Sequence, residues 1–377
     1  MSKEWETRKF ENCIEKIDYT NKIQRKDFLE NGKHPIISQE QDFINGYWNN
    51  TDDLFEINKP VVIFGDHTKV LKYVDFDFVL GADGVKILQP NNEIESRYFY
   101  YYLLNINLGS LGYARHYRIL KEVDVRYPKF ISEQRRIVAI LDEAFAAIAT
   151  ARENAVKNLA NARELFESYL QDIFANPGDG WVEKKMSDIA IEITDGDHMP
   201  PPKSIEGIPF ITISNINKDT NQIDFSDTFK VSTQYYENIK PSRKPIMGDI
   251  LYTVTGSYGV PVLINNDFKF CFQRHIGLIR PKKNFNPKFI YYWIMSPSAI
   301  NQANETATGT AQKTVSLKAL RNFVIPVTSF DKQTEIVAKL DALSAETKRL
   351  EGIYQQKIAD LDELKKSILD RAFRGEM

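Results

Sequence analysis

The chain is 377 residues long, 42% apolar and 27% charged, a globular composition that excludes wholesale disorder and a fibrous fold and leaves room for more than one core. Its 49 basic and 51 acidic residues nearly cancel, so net charge alone marks neither a nucleic-acid binder nor an enzyme for acidic substrates. Cys13 and Cys271 give no disulfide framework and no cysteine-based zinc site, and no apolar run has the length of a signal peptide or a membrane span, so a cytoplasmic protein with no membrane attachment is expected.

Residues 1–130 read as a compact α+β domain. Short β-like runs such as Pro60-Val61-Val62-Ile63-Phe64 alternate with turns, and an aromatic helical run follows around Tyr98-Phe99-Tyr100-Tyr101-Tyr102. Near its end, Arg115-His116-Tyr117-Arg118 precedes Leu120-Lys121. Residues 131–176 predict the first of two long helices. No Pro or Gly occurs over 132–175, Ser132 is the expected N-cap, and Asn176-Pro177-Gly178 is the stop. Apolar residues recur at 3,4 spacing through Val138, Leu141, Phe145, Ile148, Ala155, Leu159, Ala162, Phe166, Tyr169 and Ile173, broken at Arg152, which argues coiled coil rather than a surface helix.

Residues 177–327 read as a second α+β domain, with runs Ile208–Ile213 and Asp249–Val254, a polar Gly-rich turn at Thr255-Gly256-Ser257-Tyr258-Gly259, and Thr308–Thr314 ahead of Leu317-Lys318. With 17 basic and 14 acidic residues over 176–327, this is the one positive segment, a tilt too small to establish DNA binding. Residues 328–377 predict the second long helix, with Ile336, Leu340, Leu343, Thr347, Leu350, Tyr354, Leu361, Leu364 and Ile368 on its apolar series.

The two halves are related. Shifting the chain by 199 residues lays 134–174 on 333–373 without a gap, with 13 identities in 41 positions, among them Gln134/Gln333, Leu141/Leu340, Asp142/Asp341 and Phe174/Phe373. The domains ahead of these segments match more loosely. Duplication explains this better than chance. Each helix, roughly 65 Å long at ~1.5 Å per residue, leaves a seam that needs cover. The expected fold is therefore two repeated α+β domains separated by two long helices that form an antiparallel coiled coil with pseudo-twofold symmetry. Pairing about the midpoint would bring Arg152 to Glu351, a candidate register pair.

Several stretches suggest catalysis at first sight: Asp66-His67, Asp195-Gly196-Asp197-His198 and Arg274-His275. Five scattered histidines without metal-ligand spacing argue against a metal site, and phosphate-binding, dinucleotide-binding and serine-hydrolase motifs are all missing. What remains is binding equipment at matching places in the repeat. Arg115, His116, Tyr117 and Arg118 lie in one half; Gln312, Lys313 and Thr314, with Ser257 and Tyr258, lie in the other. Arg, Lys and Gln suit base edges and phosphates, and small polar residues allow close approach.

The whole chain resembles the specificity (S) subunit of type I restriction–modification systems. The segments that carry the resemblance include His34-Pro35-Ile36-Ile37-Ser38-Gln39, Gly81-Ala82-Asp83-Gly84-Val85, Asp195-Gly196-Asp197-His198, Gly248-Asp249-Ile250-Leu251 and His275-Ile276-Gly277-Leu278-Ile279-Arg280-Pro281. They also include the helix starts Glu133-Gln134-Arg135-Arg136-Ile137 and Lys332-Gln333-Thr334-Glu335-Ile336, where Lys332 replaces the usual Glu, and the end Ala372–Met377. The resemblance implies target-recognition domains over 1–130 and 177–327, each reading half of a split double-stranded DNA sequence. It implies helices that fix the gap and dock two methyltransferase (M) subunits, and restriction (R) subunits that complete the enzyme. It implies no catalysis in this chain, with S-adenosylmethionine, Mg and ATP bound by partner subunits. A stand-alone DNA enzyme and a coiled-coil adaptor without sequence reading are the alternatives.

Overall fold

The computed structural model describes residues 4–82, 84–109, 115–199, 201–310 and 312–377. Asp83 and Ala311, which belong to segments singled out above, lie outside the described residues. The chain divides into two compact units, one of residues 1–156 with 355–377 and one of residues 157–354, so each long helix contributes to both.

In the first unit, Val61–Gly65 is the middle strand of an antiparallel sheet, between Leu71–Val74 and Val85–Leu88. Successive side chains of a strand point to opposite faces. Val62 and Phe64 therefore enter one core with Tyr98 and Phe99, while Val61 and Ile63 enter another with Ile37, Phe78 and Leu80. The run is apolar on both faces because both faces are covered, which is why it reads without alternation. The second unit repeats the plan. Ile250–Thr253 lies between Pro261–Leu263 and Ile276–Pro281; Ile250 and Tyr252 join the helix-side core with Phe289 and Trp293, and Leu251 joins Ile211, Phe272 and Leu278.

In each unit the first strand of the domain pairs antiparallel with the last, Trp5–Lys9 with Asp124–Pro128 and Val182–Lys185 with Val324–Val327, and the last strand leads directly into a long helix. A buried glutamine fixes that junction. Gln134 accepts from the Glu95 amide at 2.7 Å and donates to the carbonyls of Glu93 and Pro128, each at 2.8 Å. Gln333 accepts from the Asn286 amide at 2.9 Å and donates to the Thr328 carbonyl at 2.7 Å. Both glutamines are fully buried. Two turns on, Asp142 accepts from Arg97 at 2.9 Å and from the Tyr101 hydroxyl, and Asp341 pairs with Lys288 at 2.7 Å and accepts from Tyr292 at 2.6 Å. Burial, with the Asp142 carboxylate beside it, pushes the Tyr101 phenol up to about 12, which keeps it a donor.

The long helices run Ile131–Ala175 and Phe330–Arg374, 45 residues each. The first begins one residue before the expected N-cap: Ser132 lies inside its first turn, and the Phe130 carbonyl accepts from the Glu133 and Gln134 amides. Its end at Ala175 meets the Pro-Gly stop. Ile137, Val138 and Leu141 from the start of the first helix share the first unit's core with Leu369, Ala372 and Phe373 from the end of the second. Ile336, Val337 and Leu340 share the second unit's core with Leu170 and Phe174. Between these, Ile148, Ala155, Ala162 and Thr347 are buried, and Phe145, Leu159, Phe166, Leu343, Leu350, Leu361 and Ile368 are half-buried.

Two expectations for the seam are corrected. Leu364 is 46% exposed, because the 3,4 series that continues from Thr347 through Tyr354, Ile358 and Leu361 reaches Lys365 and Ile368, leaving Leu364 beside it. Lys365 lies over the Phe145 ring at 5.1 Å. The register also differs: Arg152 meets Asp362 at 3.0 Å in the first unit, and Glu351 meets Arg163 at 3.1 Å in the second. From 152 to 163 the first helix advances eleven residues, while from 362 to 351 its partner retreats by eleven, which makes the pairing antiparallel in one register.

Replacing Gln134 or Gln333 with Ala would leave buried amide and carbonyl groups unsatisfied, at about 1–3 kcal/mol each. Either variant is expected to lower the thermal midpoint by several degrees, measured by circular dichroism; a surface Gln356→Ala control leaves it unchanged.

Candidate nucleic-acid interface

In the second unit the hairpin turn after Ile250–Thr253 and the loop ahead of Leu317–Asn322 are held together. The Gly256 amide donates to the Lys313 carbonyl at 3.0 Å, Thr255 and Thr314 form a β-bridge, and the Val315 amide donates to the Val254 carbonyl at 2.8 Å. Gly256 has φ 71°, a left-handed conformation open to glycine. Ser257, Gln312 and Lys313 are exposed, while Tyr258 and Thr314 are half-buried, with the Tyr258 hydroxyl donating to Asn304 at 2.8 Å. The five positions singled out here from the sequence are thus brought onto one surface.

Two further loops extend that surface. The Val254 amide donates to the His275 carbonyl, and the Arg274 amide to the Asp197 carbonyl, both at 2.9 Å. The approach is close: a Cβ on Gly196 would lie 1.9 Å from the Phe272 carbonyl oxygen, so this position of the Asp195-Gly196-Asp197-His198 motif requires glycine. The charged residues of that motif are engaged in local pairs, although His198 itself is exposed. Asp195 meets His198 at 2.9 Å and Arg243 at 3.3 Å, and Asp197 accepts from the Tyr235 hydroxyl at 2.5 Å. Burial and this carboxylate raise the Tyr235 phenol above its ordinary range. The motif is therefore a structural clasp that leaves the exposed Arg274 at the rim.

The first unit builds the same ridge from different residues. The turn Gly65–Thr68 is tied to Gln39, whose carbonyl accepts from the Thr68 hydroxyl at 2.7 Å, and the Asp66 amide donates to the Gly84 carbonyl at 2.7 Å. The loop at 115–118 closes on that turn. The His116 amide donates to the Asp66 carbonyl at 2.8 Å, and the Tyr117 amide to the Asp66 carboxylate at 2.7 Å. This corrects the reading of two residues as surface contacts. His116 is 1% exposed, and the Tyr117 ring packs against Phe10 and Phe64. Both hold the loop, because an amide pair and an aromatic ring anchor it to the sheet beneath. Arg115 and Arg118 remain exposed. Sequence reading assigned no role to Gln39 or Thr68; the signal for Gln39 was its place in the His34–Gln39 segment that carries the resemblance. Among the described residues no group of three or more His, Cys, Asp or Glu is arranged to hold a metal ion, and no helix is long and apolar enough to cross a membrane.

A model of the family described as the type I restriction modification DNA specificity domain matches residues 2–158 and 178–359, one match for each half of the repeat. The chain belongs to this family. The specificity subunit of the Escherichia coli type I restriction enzyme EcoR124I/EcoR124II is 27% identical over 361 residues, spanning 88% of this chain and 84% of that protein. The specificity subunit of EcoBI, also from E. coli, is 31% identical over 173 residues, which cover 46% of this chain and 36% of that protein, so there the match spans about a third of the relative. Among solved structures, a chain from work on complex assembly and conformational transition of the type I R-M system superposes with a TM-score of 0.74 at 16% identity, covering 99% of this chain and 98% of that one. The HsdS subunit from Thermoanaerobacter tengcongensis gives 0.57 at 17% identity, over 99% and 97%. These show the shared fold, two α+β domains with paired long helices. Membership in a DNA specificity family disfavours the adaptor without sequence reading.

The two kinds of ridge residue separate experimentally. His116→Ala removes a buried anchor and is expected to cost about 1–3 kcal/mol of stability, whereas Arg118→Ala is expected to stay within about 0.5 kcal/mol of the parent. Denaturant unfolding checks both, and equal effects would refute the division.

Proposed function

We propose that this specificity subunit reads a split double-stranded DNA target, one half with each α+β domain, and that its long helices set the gap between the halves and dock two methyltransferase (M) subunits. Restriction (R) subunits complete the enzyme. The chain itself is the reader and not the catalyst; S-adenosylmethionine, Mg and ATP are handled by the partner subunits, and the complex works in the cytoplasm. The observation that carries the reading is the ridge of hairpin turn and helix-start loop, built twice from unlike residues on like scaffolds. A duplicated scaffold with diverged exposed loops suits two different half-sites held at one spacing.

The residues assigned to DNA are Arg115 and Arg118 in the first unit, and Ser257, Tyr258, Arg274, Gln312, Lys313 and Thr314 in the second. Arginine can bond guanine or phosphate, glutamine can bond adenine, and the hydroxyl groups suit either. A net charge of −2 on the chain is workable when M subunits share the phosphate contacts.

The decisive experiment is to purify the tagged chain from its host, take its native mass, and map methylation in host DNA. The expected result is two methyltransferase copies per chain and a two-part methylated motif with a fixed gap. A folded chain that emerges alone, with no such motif lost on its deletion, would overturn the reading. On the assembled complex, Lys313→Ala combined with Arg118→Ala is expected to weaken DNA binding at least about tenfold and flatten its salt dependence by about two charges, with M-subunit binding kept. Fluorescence anisotropy over a salt series checks this, and unchanged affinity would sink the assignment of these loops.

A further inference from the structure

The two ion pairs on the seam are copies of one position pair. The 199-residue repeat equates Arg152 with Glu351 and Arg163 with Asp362. Arg152–Asp362 in the first unit and Glu351–Arg163 in the second are therefore the same contact made twice with its charges exchanged. A faithful duplication would have kept the same residue at both members of each equivalence; here both members differ in sign.

We propose that this exchange is a pairing code by which each long helix accepts the other and rejects a second copy of itself. The reason lies in the register. If two first helices from different chains paired in the same antiparallel register, Arg152 of each copy would face Arg163 of the other. If two second helices did so, Glu351 would face Asp362. Every such contact places like charges together, while the arrangement within one chain places opposite charges at 3.0 and 3.1 Å. The apolar seam supplies the affinity, but its series is similar in both helices and so discriminates weakly. Charged residues flanking a seam choose the partner because like charges at contact distance destabilise about as much as opposite charges stabilise. The device matters for this chain in particular, since 13 identities in 41 positions leave the two helices alike enough to compete.

The test uses the full chain. The double variant Arg163→Asp with Asp362→Arg puts like charges in both intrachain pairs and opposite charges in every homotypic pair. Adding Arg152→Glu and Glu351→Arg restores opposite charges within the chain and like charges between copies. Two differently tagged chains are mixed in denaturant, refolded together at low salt, and scored for the intermolecular fraction by sequential affinity capture and sedimentation. The double variant is expected to raise the intermolecular fraction at least about tenfold over the parent, with the rise shrinking at about 1 M salt, and the quadruple variant is expected to return it to the parental value. A double variant that exchanges no more than the parent, or a quadruple variant that exchanges as much as the double, would overturn the code. Should the double variant fail to fold, Arg152→Asp with Asp362→Arg decides. It keeps both intrachain pairs, so its melting is expected to match the parent, yet it removes the homotypic repulsion, so its intermolecular fraction is expected to rise several-fold. No rise overturns the proposal.

Discussion

Each α+β core is closed by two helix ends, the start of the long helix that follows it and the finish of the other one. Ile137, Val138 and Leu141 meet Leu369, Ala372 and Phe373 beneath the Tyr98 and Phe99 helix, and Ile336, Val337 and Leu340 meet Leu170 and Phe174 beneath Phe289 and Trp293. The apolar stripe of each long helix is thus buried at one end against its own domain and at the other against its repeat partner. Removing that apolar surface from water is the main favourable term at about 25 cal/mol per Å², and it is available to the fold when both helices are present. The candidate interface loops are anchored in the same cores, by Tyr117 and Leu120 in the first unit and by Val254, Tyr258 and Leu317 in the second, so their geometry is inherited from this closure.

The junction glutamines give physical meaning to a sequence signature. Gln134 and Gln333 occupy the same place in the two helix starts, and each spends its amide on backbone groups of the domain it leaves. A side chain with both a donor and an acceptor is needed, since the groups it satisfies are of both kinds. The terminal motif has a similar explanation. Phe373 packs edge-on to Tyr98 and Tyr102, and at Gly375, with φ 84°, a Cβ would lie 3.1 Å from the Trp5 ring.

Much of this architecture was legible in the residues because it is written as period and punctuation. The long 3,4 series announces two helices, the missing Pro and Gly over 132–175 and the Asn176–Gly180 breakers bound the first, and the shift of 199 residues announces a repeat. Register was harder. The repeat says which residues are equivalent but leaves the stagger open, and the stagger is decided by how the helix ends fit the two cores. Arg152 therefore found Asp362 and not its own equivalent Glu351. The ridges were legible as polar, Gly-bearing loops at matching positions, yet the inward or outward sense of each side chain was not. His116 and Tyr117 have the composition of a binding segment, and it is the Asp66 turn, fifty residues away in sequence, that draws them inside. Leu364 shows the converse, an apolar residue one step off a series that passes through Lys365.

The first unit is discontinuous, and this fixes an order of events during synthesis. Its sheet and aromatic helix are encoded by residues 1–156, but Leu369, Ala372 and Phe373 come from the last turns of the chain. At about 5–20 residues per second, roughly 10–45 s separate the emergence of the two parts. During that interval the faces of Tyr98 and Tyr102 that will meet Phe373 wait for their partner, while the second unit, continuous over 157–354, gains all its residues before Leu369 is made. The unit whose sheet is made first is the one whose core is closed last, by residues of the second long helix.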